Sequence, residues 1–187
     1  MTTPTRSNKA VAAIAALALS TLSATALAKP KWADKSDSTI VQFAIDASGP
    51  PGFDADGEDF DILVAALIAT GVVGIFDGTD YTVFAPTDQA FYDLTGTSND
   101  TDAFNAVVAL LGVPGVEAVL SYHVTDGVRN SRSVVSAKKI TMLDGNTINY
   151  DGSLELIIAN QSAAGLLNID NRLADGMVHI IDTVLLP

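Results

Sequence analysis

Two histidines, His123 and His179, stand in a 187-residue chain that has no cysteine. With serines and aspartates plentiful, they raise acyl-transfer chemistry, which needs a nucleophile, a histidine base, an orienting carboxylate and an oxyanion hole. The local patterns argue against it. No Gly-x-Ser-x-Gly elbow occurs. His123 falls at i+7 from Val116 on an apolar helical face, and His179 sits in a strand on the side of Met177 and Ile181. Both read as core imidazoles that find hydrogen-bond partners within the fold. Asp88, in the first helical turn after Pro86, is the candidate partner for His123. No catalytic residue is assigned, and the chain is read as no enzyme.

A second chemistry is suggested by the acids Asp54, Asp56, Glu58, Asp59 and Asp61, because hard cations favour clustered carboxylates. Placing Asp54 at the first EF-hand position puts Asp59 where the motif needs glycine and Ala65 where it needs a bidentate glutamate. The motif fails, so the run is expected to be a solvated acidic loop with no metal and no cofactor.

The elements that must position these residues begin after a leader. Arg6 and Lys9 precede an alanine- and leucine-rich run from Ala10 to Leu22, and Ala26-Leu27-Ala28 supplies a small-residue cleavage site. Residues 1–28 therefore read as a secretory signal peptide, with the mature chain secreted to the periplasm or beyond. The leader holds two of the ten basic residues and none of the 22 acidic ones, leaving a mature charge of −14. That balance disfavours nucleic acid and anionic membrane surfaces as partners, and no later run has the length expected of a membrane-inserted segment. Lacking thiols, the chain must be stabilised by packing, for which one domain of this length is sufficient.

Residues 29–37 form a polar connector, and the domain spans 38–187. Ser38 is the expected N-cap of a helix carrying Ile40, Phe43, Ala44 and Ala47; a proline- and glycine-rich loop covers 48–59; a second helix runs from Asp61 to Thr70, stopped by Gly71. A helix presenting Phe104, Val107, Val108 and Leu111 ends at Gly112 and Pro114, and another presents Val116, Val119, Leu120 and His123. From Val128 onward short runs rich in Ile, Val and Leu are punctuated by Asp144-Gly145 and Asp151-Gly152, the dipeptides of tight hairpins. Helices first and strands later give an α+β class.

Three pieces then fall in order: TVFAPTDQAF at 82–91, VLSYHVTDG at 119–127 and DGMVHIIDTVLLP at 175–187. Together they resemble the fasciclin (FAS1) domain family, with its two homology boxes and an intervening Tyr-His motif. The resemblance implies a β-wedge, in which N-terminal helices pack on a twisted, mostly antiparallel sheet. It implies structural roles for the box residues Thr87, Asp88, Phe91, His179 and Asp182, with Thr87 capping the helix that holds Phe91. It also implies a non-enzymatic adhesion or protein-binding module with a protein or cell-surface partner, recognised through Tyr122 and His123 if they are exposed. Tyr122, one residue off the apolar stripe, is expected to be partly exposed. The alternative is a carrier of an apolar small molecule, a carotenoid or lipid, in a groove between helices and sheet.

Overall fold

The computed structural model describes residues 37–49, 52–76 and 79–187; the signal-peptide reading and most of the connector lie outside them. Helix α1 (Ile40–Ala47) is capped by Thr39, whose Oγ1 accepts from the Gln42 amide at 3.2 Å, so the cap falls one residue after Ser38. It has a second cap from far along the chain, since Asp175 Oδ1 accepts the Ile40 amide at 2.8 Å. Helix α2 (Asp61–Thr70) ends at Gly71 with φ 73°, the left-handed conformation that glycine adopts without steric cost. A 3₁₀ turn (Val72–Ile75) leads to strand β1 (Tyr81–Pro86) and helix α3 (Asp88–Thr95).

Helix α4 runs from Asp100 to Tyr122 but breaks at Gly112 (φ 65°, ψ 167°), two residues before Pro114. These are the two helices expected from the sequence, joined almost end to end. By length and composition α4 could cross a membrane; it breaks at Gly112 and packs against α2 and α3. The remainder comprises β2 (Val124–Asp126), α5 (Ser131–Ser136), β3 (Ile140–Thr141), β4 (Thr147–Asp151), β5 (Leu156–Ile158), β6 (Ala163–Leu173) and β7 (Gly176–Ile181).

The seven strands form one sheet in the order β2-β1-β7-β6-β5-β4-β3. Each neighbouring pair is antiparallel except β1 with β7, which run parallel from Tyr81 beside Gly176 to Pro86 beside Ile181. Strands alternate their side chains between faces, and that alternation separates two cores. Val83, Ala85 and Val178 join Phe43, Phe60, Ile62, Phe91 and the helical apolar residues in the first. Phe84 and Ile181 join Tyr122, Val134, Ile140, Ile148, Ile157 and Leu185 in the second. Helices α1 to α4 contribute to the first core, while β3, β4, β5 and α5 contribute Ile140, Ile148, Ile157 and Val134 to the second.

Candidate functional site

The two boxes lie side by side. Thr82–Pro86 of the first pairs residue by residue with Met177–Ile181 of the second, and the Thr87 amide extends the ladder to the Ile181 carbonyl at 3.3 Å. Phe91 is buried in the first core, where an aromatic side chain contributes about 2–3 kcal/mol. Asp182 accepts the Gly165 amide at 2.8 Å and the Thr183 hydroxyl at 2.9 Å.

His123 is 3% exposed and wired on both ring nitrogens. Nδ1 donates to the Val119 carbonyl at 2.7 Å, and Nε2 accepts the Leu185 amide at 2.9 Å. Only the neutral Nδ1–H tautomer satisfies both bonds, and burial pushes the imidazole down to about 4. The expected bond to Asp88 is absent: Asp88 Oδ1 instead accepts the Ile62 amide at 3.1 Å, capping α2 from outside. His179 takes the opposite tautomer, its Nε2 donating to the Arg129 carbonyl at 2.8 Å while Nδ1 accepts the Asp170 amide at 3.3 Å. Its ring stacks on Phe84 with centroids 5.5 Å apart, and burial lowers its pKa. With both nitrogens committed to the backbone, neither imidazole is free to act as a base.

Tyr122 corrects the sequence reading. It is 0% exposed, its hydroxyl donating to the Thr147 carbonyl at 3.1 Å and accepting the Asn160 amide at 3.2 Å. The apolar stripe of α4 faces the first core, but at its C-terminal end the helix enters the second core beneath the β3–β5 meander, which a helical wheel does not register. Burial raises the phenol's pKa. Direct contact through this side chain has no surface from which to act.

Thr87 departs from expectation in a different way. It occupies the N-cap position of α3, yet its side chain makes no capping bond. The free amides at this helix start are taken by the acidic loop: the Asp88 amide donates to the Asp59 carbonyl at 3.0 Å and the Gln89 amide to the Gly57 carbonyl at 2.7 Å. A Cβ on Gly57 would lie 2.9 Å from Gln89 Oε1, so this approach requires glycine or a shift of Gln89.

The acidic loop is therefore only partly solvated. Asp54, Asp56 and Glu58 are exposed, whereas Asp59 and Asp61 are buried against the N-termini of α2 and α3. Asp100, at the start of α4, is fully buried and completes the group: Oδ1 accepts the Tyr92 hydroxyl at 2.5 Å and Oδ2 accepts the Asp54 amide at 2.6 Å. Asp59 Oδ1 and Asp88 Oδ2 have no hydrogen-bond partner; burial raises the pKa of both carboxyls, and the neighbouring Asp59 raises Asp88 further. Burial, followed by the charges of Asp59, Asp100 and Asp54, pushes Asp61 up to about 6. Burial and Asp100 also raise Tyr92. Asp100 was missed by sequence reasoning because it lies 46 positions from Asp54; its only local signal is an acid in a helical first turn.

Two surface hollows flank these elements. One, of about 410 Å³, is lined by Ile45, Gly52, Phe53, Asp61, Val64 and Ile68, between α1 and α2. Three of these apolar side chains face solvent: Ile45 is 45% exposed, Phe53 40% and Ile68 71%. The other, of about 400 Å³, lies between α1 and strands β6 and β7 and includes Phe43, Phe60, Leu167 and Ile180 together with Asp46 and Glu58. Two smaller voids, of about 30 and 20 Å³, are lined mainly by residues of the first core.

Fold and wiring together define an α+β wedge in which the histidines hold the backbone. The chain belongs to the fasciclin domain family, whose family model matches residues 58–187. Among its relatives are the uncharacterized protein sll1735 of Synechocystis (28% identical, 69% of this chain and 90% of that protein) and the cell surface glycolipoprotein MPB83 of Mycobacterium bovis (32%, 62% and 48%). Another is the transforming growth factor-beta-induced protein ig-h3 of Sus scrofa (30% identical, 68% of this chain and 18% of that protein). In three dimensions it is similar to the FAS1 domain pair of the insect cell adhesion molecule fasciclin I, with a TM-score of 0.56, 14% identity, and coverage of 80% of this chain and 51% of that one.

Proposed function

We propose that the chain is a non-enzymatic protein-binding module, exported after cleavage near Ala28, that attaches to a protein or cell-surface partner through the hollow between α1 and α2. The observation that carries this reading is the convergence of Ile45, Phe53 and Ile68, each substantially exposed, on one apolar depression. Such anchors, surrounded by a polar rim, are the usual source of binding energy at protein interfaces. Asp61 is among the hollow's lining residues, and the chain as a whole has a net charge of −12. The complementary partner presents an apolar side chain flanked by basic residues. Tyr122 and His123 serve this function from within, by fixing the end of α4. Support for the class comes from relatives described as a cell surface glycolipoprotein and a cell adhesion molecule. Attachment of cells to the immobilised protein, compared between wild type and Ile68→Ser, tests it; a folded variant that still attaches cells fully would refute it.

The carrier reading rests on the groove between α1 and the sheet. At about 400 Å³ it falls near the lower end of small-molecule sites, and Asp46 and Glu58 are among its lining residues. A coloured or lipid-bearing preparation from the native source would reverse the order of the two readings.

A further inference from the structure

Asp100 accepts hydrogen bonds from the Tyr92 hydroxyl and the Asp54 amide, and Asp88 accepts one from the Ile62 amide. One oxygen each from Asp54, Asp61 and Asp100 lies within 4.8 Å of the others. Calcium bonds oxygen at about 2.3–2.6 Å, so oxygens across one ion are about 4.6–5.2 Å apart and a single ion can reach all three. Asp61 is only 7% exposed, and its Oδ2 has no hydrogen-bond partner. Both Asp100 oxygens are oriented by one donor each, leaving each a further lone pair. Asp61 and Asp100 sit in the first turns of α2 and α4, where each helix end supplies about half a positive charge, too little to balance three carboxylates.

We propose that Asp54, Asp61 and Asp100 bind a hard divalent cation, calcium by size, which ties the acidic loop to the starts of α2 and α4. The donor set is entirely oxygen, the chain has no thiol, and both imidazoles are committed to the backbone, so softer metals are poorly served. Magnesium demands a tighter octahedron at about 2.0–2.1 Å, whereas calcium accepts the irregular approach of a loop and two helix ends. Phe53, next to Asp54, lines the hollow beside α2, so the ion would fix one of its walls. The site stands independently of what occupies that hollow.

The test is calorimetric titration of the chelator-treated full chain with calcium chloride, repeated with magnesium chloride. Terbium luminescence excited through tyrosine provides a second readout, because the Tyr92 hydroxyl contacts Asp100 at 2.5 Å. The expected result is one saturable site in the ~0.1–1 mM range with weaker magnesium binding. Asp54→Asn and Asp61→Asn should each weaken it at least about tenfold, and Asp144→Asn, in the distant β3–β4 turn, should leave it unchanged. Circular dichroism checks that the asparagine variants are folded. Absence of saturable calcium heat up to ~10 mM overturns the site, as does unchanged binding in folded Asp61→Asn, which would mark an adventitious ion only; equal magnesium affinity overturns the choice of calcium.

Discussion

His123 Nε2 accepts the backbone amide of Leu185 at 2.9 Å, joining the end of α4 to the chain's last residues across 62 positions. The bond is possible only while the ring is neutral. On the other side of the ring the Val119 carbonyl holds the proton on Nδ1. Replacing His123 with Leu leaves a buried amide without an acceptor, and should cost about 1–3 kcal/mol.

The same ring sets an acid limit. Its folded-state pKa is lowered from 6.5 to about 4, so the unfolded chain binds protons more readily between those values. The stability contributed by neutral His123 is complete above about pH 6.5 and lost as pH falls toward 4. Melting temperature against pH should show this acid limb in the wild type and a shallower one in His123→Leu.

Asp61 has the opposite sign. Its pKa is raised from 3.8 to about 6, so its contribution is present below about pH 4 and is lost as pH rises through 6. Without added cation, Asp61→Asn should raise stability at pH 7 by about 1–2 kcal/mol, after allowance for solvent screening at the loop. It should also steepen the acid limb, because the opposing slope is gone. Chemical denaturation at pH 5 and pH 7 checks both effects.

Much of the scaffold is legible in the sequence because its signals are local. Gly71 and Gly112 end helices by positive φ, and Asp144-Gly145 lies between two antiparallel strands, as its dipeptide type suggests. The sequence is less informative where the cause is tertiary. Strand β2 follows α4 almost directly and is only three residues long, and α5 has only six, so neither carries a usable period. Thr87 is correctly placed at an N-cap, but backbone carbonyls from a distant loop supply the acceptors. Tyr122 looked exposed because a helical wheel shows one packed face, whereas the end of this helix is packed on two.

Gly176 makes a further commitment of the fold. A Cβ there would lie 2.1 Å from the Tyr81 carbonyl oxygen and 2.7 Å from Ile40 Cδ1. Gly176→Ala must separate β1 from β7 at their first pair, and should cost about 3 kcal/mol in equilibrium unfolding. A loss under 0.5 kcal/mol would mean the strands part freely at that end.

Tyr122→Phe removes a hydroxyl that serves both the Thr147 carbonyl and the Asn160 amide. The expected loss is about 1–2 kcal/mol in stability, with attachment per folded molecule unchanged. The variant therefore separates a structural tyrosine from one that touches a partner.

The measurement that bears most directly on the account is cell attachment to equal amounts of folded, immobilised Ile68→Ser and Tyr122→Phe. Ile68 is 71% exposed at the hollow and Tyr122 is fully buried. Attachment lost in Ile68→Ser and retained in Tyr122→Phe is the predicted result. Attachment retained in Ile68→Ser and lost in Tyr122→Phe would contradict the placement of the binding surface between α1 and α2.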